Sequence, residues 1–157
     1  MSRYINDSLF NKIHRDMPIV YVDIVLKSAD NGFLLVKRKE EPAKDKWWFV
    51  GGRVLKNESL ETAAKRKVLE ETCLITESIE KIVEGYELLF REDPFGHGAG
   101  THAISTCFSA EVSDLSSLIL DKYHSDFKLF NYVNNQWNTY LKHCLRLAGF
   151  KSNDSKM

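Results

Sequence analysis

The stretch GGRVLKNESLETAAKRKVLEETCL, residues 51–74, decides the fold. It runs from a double glycine into a segment with helical periodicity, Ser59 to Thr72, for which Asn57 or Ser59 is a candidate N-cap. At 100° per residue with Leu60 at zero, Ala64 falls at about 40° and Val68 at about 80°, so this arc faces a core. Glu71 falls at about 20°, inside the same arc, while Lys67, Glu70 and Arg66 follow at about 340°, 280° and 240°. A carboxylate directed into a core is costly unless something positive meets it. One reading is a solvated helix laced by Arg66–Glu70 and Lys67–Glu71 pairs, each worth only ~0.2–0.5 kcal/mol. The preceding glycines favour another. Gly51-Gly52 permits a tight bend and bares a backbone carbonyl. A hard cation such as Mg²⁺ takes oxygen ligands, commonly one or two carboxylates with phosphate oxygens and water.

Working outward, the segment IVYVDIVLK (19–27) is rich in β-branched residues and predicts a buried strand. Asn31-Gly32 marks a tight turn, after which FLLVKRK (33–39) returns as its hairpin partner. WWFV (47–50) is a third short strand leading into Gly51. Upstream, DSLFNKIHRD (7–16) reads as a helix capped by Asp7 or Ser8. Downstream, segments 81–90 and 102–112 predict an antiparallel pair joined by the Gly-rich loop DPFGHGAG, and FKLFNYV (127–133) a further strand. A last helix over about 135–148 places Trp137, Tyr140, Leu141, Cys144 and Leu145 on one face. A mixed sheet with helices on both faces follows, an α/β (α+β) sandwich. The expected organisation is one domain over 1–150 with a disordered tail, 151–157.

Composition narrows the functions. The chain has 157 residues, with 22 basic and 22 acidic side chains and no net charge. Without a basic excess, nucleic-acid binding is not expected as its activity. The N-terminal MSRYINDSLF lacks the apolar run of a signal peptide, and no segment nears ~18 apolar residues. No membrane association and a cytoplasmic location are therefore expected. Cys73, Cys107 and Cys144 form no CxxC pair and read as buried free thiols.

Residues 51–74 resemble the Nudix box: Gly52, Glu58, Arg66, Val68, Glu70, Glu71 and Leu74 match it in register. Two positions depart, with Lys67 where the box has glutamate and Cys73 where it has glycine. Exchanging Glu for Lys moves the local charge by two units, which argues against a cluster of several metals and is compatible with one. Through MPIVYVDIVL, GFLLVKRKEEPAKDKWWFVGGRV and DKYHSDFKLF the chain is similar to a Nudix subfamily with a reduced box, the GDP-mannose mannosyl hydrolases.

That resemblance implies a Mg²⁺-dependent homodimer acting on a GDP-sugar, water attacking the anomeric carbon with inversion, and a place in polysaccharide biosynthesis. Mapped residue by residue, it makes Arg38 and Arg53 contacts to the diphosphate. Asp23 would belong to the nucleotide site, at the partner subunit's face. Gly51 and Glu71 would bind the metal, with Glu70 beside them and Tyr123 standing where the family has a metal-ligating glutamine. His124 would be the catalytic base, oriented by its neighbour Asp126. The chemistry is coherent, since an imidazole titrates near neutrality and arginines stabilise a departing diphosphate. Ala103 and Val50 replace a family tyrosine and proline. His97 and His102 flank the Gly-rich loop as candidate substrate contacts, His14 and His143 read as structural, and Trp47 or Trp48 as a platform for a base. A Nudix diphosphatase that cuts P–O bonds and a non-catalytic nucleotide-sugar-binding module are the competing readings.

Overall fold

The structure, a computed structural model, describes residues 4–153. Helix α1 (Asp7–Asp16) is followed by strands β1 (Ile19–Ser28), β2 (Phe33–Arg38), β3 (Trp47–Trp48) and β4 (Val50–Arg53). Then come α2 (Leu60–Thr72), β5 (Ser78–Phe90), β6 (Thr101–Val112), β7 (His124–Phe130) and α3 (Thr139–Leu147). The strands form one mixed sheet in the order β3-β2-β1-β6-β5, with β4 added on β1 and β7 on β2. Strand β1 runs parallel to β6 over its whole length and antiparallel to β2 and β4.

Each face of the sheet carries a core. On one, Val25, Phe33 and Phe49 pack against Tyr140, Leu141 and Leu145 of α3. On the other, Val22, Ile24, Val36 and Val50 pack against Ala63, Ala64 and Val68 of α2. Burial on both faces is why β1 reads as a continuous apolar run, not an alternating one. Among the described residues no helix is long and apolar enough to cross a membrane.

Several boundaries differ from the sequence expectation. The single strand expected at 47–50 is two strands. Trp47 and Trp48 pair with Lys37 and Val36 of β2, whereas Val50–Arg53 pair with Ile24 back to Tyr21 of β1. The pairing of β1 with β2 is confined to the end next to the Asn31–Gly32 turn, which leaves β1 free to accept β4 farther along. Helix α1 is capped by Asn6, whose side chain accepts the Leu9 N–H, not by Asp7 or Ser8. Of the two caps proposed for α2, Ser59 serves, its hydroxyl oxygen accepting the Thr62 N–H. The last helix starts at Thr139 behind Asn138, later than expected, because 134–137 form a turn held by Trp137 N–H to Asn134 O. In the segment taken for a tail, Val133 bridges to Ser152 and donates its N–H to Lys151 O. The expected disorder of 154–157 lies outside the described residues.

Cys107 and Cys144 are buried, but Cys73 is exposed. Cys73 terminates α2 with φ 58°, in the left-handed region. This is the position where the Nudix box has glycine, and the reason is now visible: only glycine adopts that backbone without a Cβ penalty of roughly 1–2 kcal/mol.

Candidate active site

The site is built where α2, β4 and the entry to β7 meet. Burial of Ala63, Ala64 and Val68 against the sheet carries Glu71, on the same arc, inward to 4% exposure. Gly51 on β4 lies opposite Asp23 of β1, and a Cβ there would sit 2.3 Å from Val22 O and 2.6 Å from Asp23 Oδ1. Only glycine lets the strand pass so close. Its N–H donates to Glu71 Oε2 at 3.3 Å, joining the double glycine to the helix.

Lys67 lies between the two glutamates, 3.2 Å from Glu70 and 3.3 Å from Glu71. Its aliphatic stem occupies the space over Gly52, where a Cβ would be 2.4 Å from Cε. A lysine in the box is therefore accommodated by a glycine and neutralised by two carboxylates. Burial would lower the Lys67 ammonium, but Glu71, then Tyr4 and Glu70, outweigh it and hold it above its ordinary value. Burial pushes the Glu71 carboxyl up, against the opposing pull of Lys67 and His124.

His124 is not in a loop. It is the first residue of β7, paired with Arg38 of β2 and only 6% exposed. Its Nδ1 is 2.7 Å from Asp121 Oδ1, and its Nε2 is 3.9 Å from Glu71 Oε2. Asp121 was missed by the sequence reading, which assigned the orienting role to Asp126. Asp126 is exposed and its Oδ1 accepts the Phe127 N–H. The geometry of a turn explains the exchange: Asp121 Oδ1 also accepts the Tyr123 N–H at 3.1 Å, folding the carboxylate back under the histidine three residues on. Since a carboxylate only accepts, the His124 proton is assigned to Nδ1, and Nε2 offers a lone pair toward Glu71.

Ligand atoms of Glu71, Asp121 and His124 all lie within 4.8 Å of one another. Two carboxylates in one group suit a hard divalent cation, so the residues present fit a cation of the Mg²⁺ kind. The other expected ligands are placed differently. Glu70 accepts from the Tyr4 hydroxyl and pairs with Arg66 and Lys67, outside this group. The Tyr123 ring is 48% exposed beneath the Lys122 ammonium. Glu58, a fixed position of the box, is bound by Arg66 at 2.7 Å and holds the loop before α2.

The remaining candidates line a neighbouring cavity. Asp23, Arg38, Trp48, Gly51, Ala103 and Ser105 all border it. Asp23 is not on an outer face of the subunit; it is 6% exposed, with Oδ2 accepting from Tyr140 at 2.8 Å and from Ser105. Burial pushes its carboxyl up, and Ser105, Tyr140, Arg38 and Trp48 pull against that. Arg38 donates its Nε to Pro42 O at 2.7 Å, which fixes the guanidinium at the rim. Trp47 packs edge-on against Phe130, while Trp48 packs on Phe90 and Tyr140. Arg53 lies apart, its guanidinium 3.6 Å over the Phe10 ring and 5.0 Å over Tyr4. Its Nη1 is buried without a hydrogen-bond partner. His102 pairs with Glu87 at the surface, and His97 contacts His14 instead of this site.

The NUDIX domain family model matches residues 17–141. The chain belongs to the Nudix hydrolase family. It is 32% identical over 126 residues to the low-salt glycan biosynthesis protein Agl8 of Haloferax volcanii, covering 80% of this chain and 79% of that one. Among solved structures, a MutT NUDIX hydrolase from Burkholderia pseudomallei superimposes with TM-score 0.67 at 20% identity, covering 84% of this chain and 98% of that one. A MutT/nudix family protein from Enterococcus faecalis superimposes with TM-score 0.57 at 23% identity, over 80% of this chain. The chain spans about half of that protein's length, 51%. At these identities the solved structures show the same fold.

Proposed function

We propose that the protein is a divalent-cation-dependent hydrolase of GDP-sugars, GDP-mannose or a mannose-derived deoxy or amino sugar, releasing GDP and the free sugar with inversion at C1. The observation that carries this reading is the Asp121–His124 pair beside Glu71: an imidazole whose Nδ1 is held at 2.7 Å and whose Nε2 is left as a proton acceptor. A histidine so oriented is a general base for water. Lys67 among the box carboxylates supports a one-metal site, as hydrolysis at carbon needs only a stabilised leaving group. The Haloferax volcanii relative is a glycan biosynthesis protein, which supports a role in sugar-nucleotide chemistry.

In this reading His124 Nε2 takes the proton from the attacking water while Asp121 keeps the ring in the productive tautomer. Glu71 and Asp121, with the adjoining backbone of Gly51, would hold Mg²⁺. The bound cation supplies positive charge that stabilises the departing diphosphate. Arg38, lining the neighbouring cavity, contributes fork-shaped donors that grip the same group, and Arg53, outside the cavity lining, would reach it from the side of α1. Asp23, anchored by Tyr140 and Ser105, presents a fixed acceptor to the nucleotide sugar in the cavity beside Arg38.

Incubation with a panel of GDP-sugars and Mg²⁺, followed by chromatography of the products, tests the proposal. Free sugar plus GDP is the expected outcome. GMP plus sugar 1-phosphate would assign the chain to P–O cleavage, and tight binding without turnover to a non-catalytic module.

A further inference from the structure

Helix α1 is tied to the Gly-rich β5–β6 loop by two histidines with buried side chains that the proposed reaction does not use. His14, in the last turn of α1, is 4% exposed, and its Nδ1 is 2.8 Å from His97 Nε2. His97 Nδ1 accepts the Ala99 N–H at 3.0 Å and lies 3.4 Å from Asp93 Oδ2. Asp93 in turn accepts the backbone N–H groups of Phe95, His97 and Gly98, each at 3.0 Å, so the loop is wound around its carboxylate. Phe10 and Phe95 meet His14 edge-on and wall it off.

These partners fix the protons of the neutral pair. The Ala99 N–H requires a lone pair on His97 Nδ1, which puts the His97 proton on Nε2, donating to His14 Nδ1. The His14 proton then sits on Nε2, which is buried and has no partner. A proton added to His14 Nδ1 turns that acceptor into a donor and sets its N–H against the His97 N–H, and the contact opens. The other charges near the pair are Asp16, close to His97 and paired with Arg15, and Arg53 on the Phe10 ring. Among the described residues none lies between the two rings to neutralise a cation on His14. Burial, and then the charge of His97, lower the His14 imidazole.

The same helix carries the aromatic support of Arg53. Phe10, one turn before His14, lies 3.6 Å under the guanidinium, and Tyr4 closes over it while bonding Glu70. We propose that His14 and His97 are a positioning pair that latches α1 against the β5–β6 loop and thereby holds Arg53 in place, the latch releasing in mild acid. The consequence for ligand binding rests on the reading that Arg53 contacts the diphosphate; the latch itself does not.

Amide hydrogen exchange over residues 10–17, corrected for the intrinsic pH effect, at about pH 7.5 and about pH 5.5 tests the latch, since imidazoles change charge across that interval. Calorimetric titration with GDP and Mg²⁺ is run beside it. In the unaltered protein α1 should lose at least about tenfold protection at the lower pH, and GDP affinity should fall with it. His14→Asn keeps an acceptor for His97 Nε2–H but does not titrate, and His97→Gln keeps a donor for His14. His14→Asn should hold its α1 protection equal at both pH values, and His97→Gln, which leaves the buried His14 in place, should lose less protection in acid than the unaltered protein. Equal protection of the unaltered protein at both values would overturn the proposal, as would an acid loss undiminished in the variants. Acid loss of α1 protection without GDP binding at either pH would support the latch and remove the diphosphate role of Arg53.

Discussion

Two buried carboxylates adjoin Gly51, Asp23 on β1 and Glu71 on α2, and they are held in opposite ways. Asp23 is closed by short bonds from neutral hydroxyls, Tyr140 at 2.8 Å and Ser105, which come from two different elements and do not move with pH. Glu71 is surrounded more loosely, by a lysine at 3.3 Å, a backbone N–H at 3.3 Å and an imidazole nitrogen at 3.9 Å. Short bonds to a charged acceptor are the strong ones. Under the proposed function the difference would separate a fixed recognition group from a group whose bonding is left for a cation and a reacting water to complete.

The largest effect that could break this comparison is expected at His124. His124→Gln removes the acceptor beside Glu71 and should lower kcat by ~10²–10⁴, with little change in GDP affinity. Steady-state kinetics alongside calorimetry checks both halves. An unchanged kcat would show that the loosely held side is not where chemistry occurs.

The next effect concerns the cation. Burial raises the folded-state Glu71 carboxyl above its unfolded value, so without metal the folded form binds more protons. That contribution to stability is present at low pH and is lost as pH rises through the raised carboxylate range. Mg²⁺ reverses the loss by binding the ionised form. It should therefore raise Tm by several degrees at about pH 7.5 and by less at about pH 5, a tenfold excess over Kd being worth about 1.4 kcal/mol. Thermal unfolding of Glu71→Gln should show no Mg²⁺ increment at either pH. An increment that survives there would move the cation elsewhere.

The smallest effect sharpens the contrast from the other side. Tyr140→Phe leaves Asp23 one donor short in a buried setting and should cost about 1–3 kcal/mol in chemical denaturation. The Mg²⁺ concentration for half-maximal stabilisation should not change. If it does, the two carboxylates are one coupled site.

The loosely held side was partly legible in the sequence and the fixed side hardly at all. Glu71 could be placed because a single helix has a period, and its inward angle follows from counting to Leu60 and Ala64. Asp121 could not, because its nearness to Glu71 depends on where the chain returns after β6, and only the Asp-x-x-His spacing hinted at a turn. The bonds of Asp23 to Ser105 and Tyr140 join residues 82 and 117 positions apart, and no local pattern carries such pairings. The hairpin at Asn31–Gly32 and the β5–β6 pair were readable from turn residues. The change of partner at Phe49 was not, since it is dictated by the neighbours of that segment and not by its own residues. His14 and His97 were read as unrelated for the same reason, 83 residues apart.

The proposed attack of a His124-activated water on carbon is recorded in where the oxygen of that water ends up. Turnover of a GDP-sugar in ¹⁸O-labelled water, read by mass spectrometry, should put the label in the free sugar and none in GDP. Label in a phosphate group would place the attack at phosphorus and contradict the account.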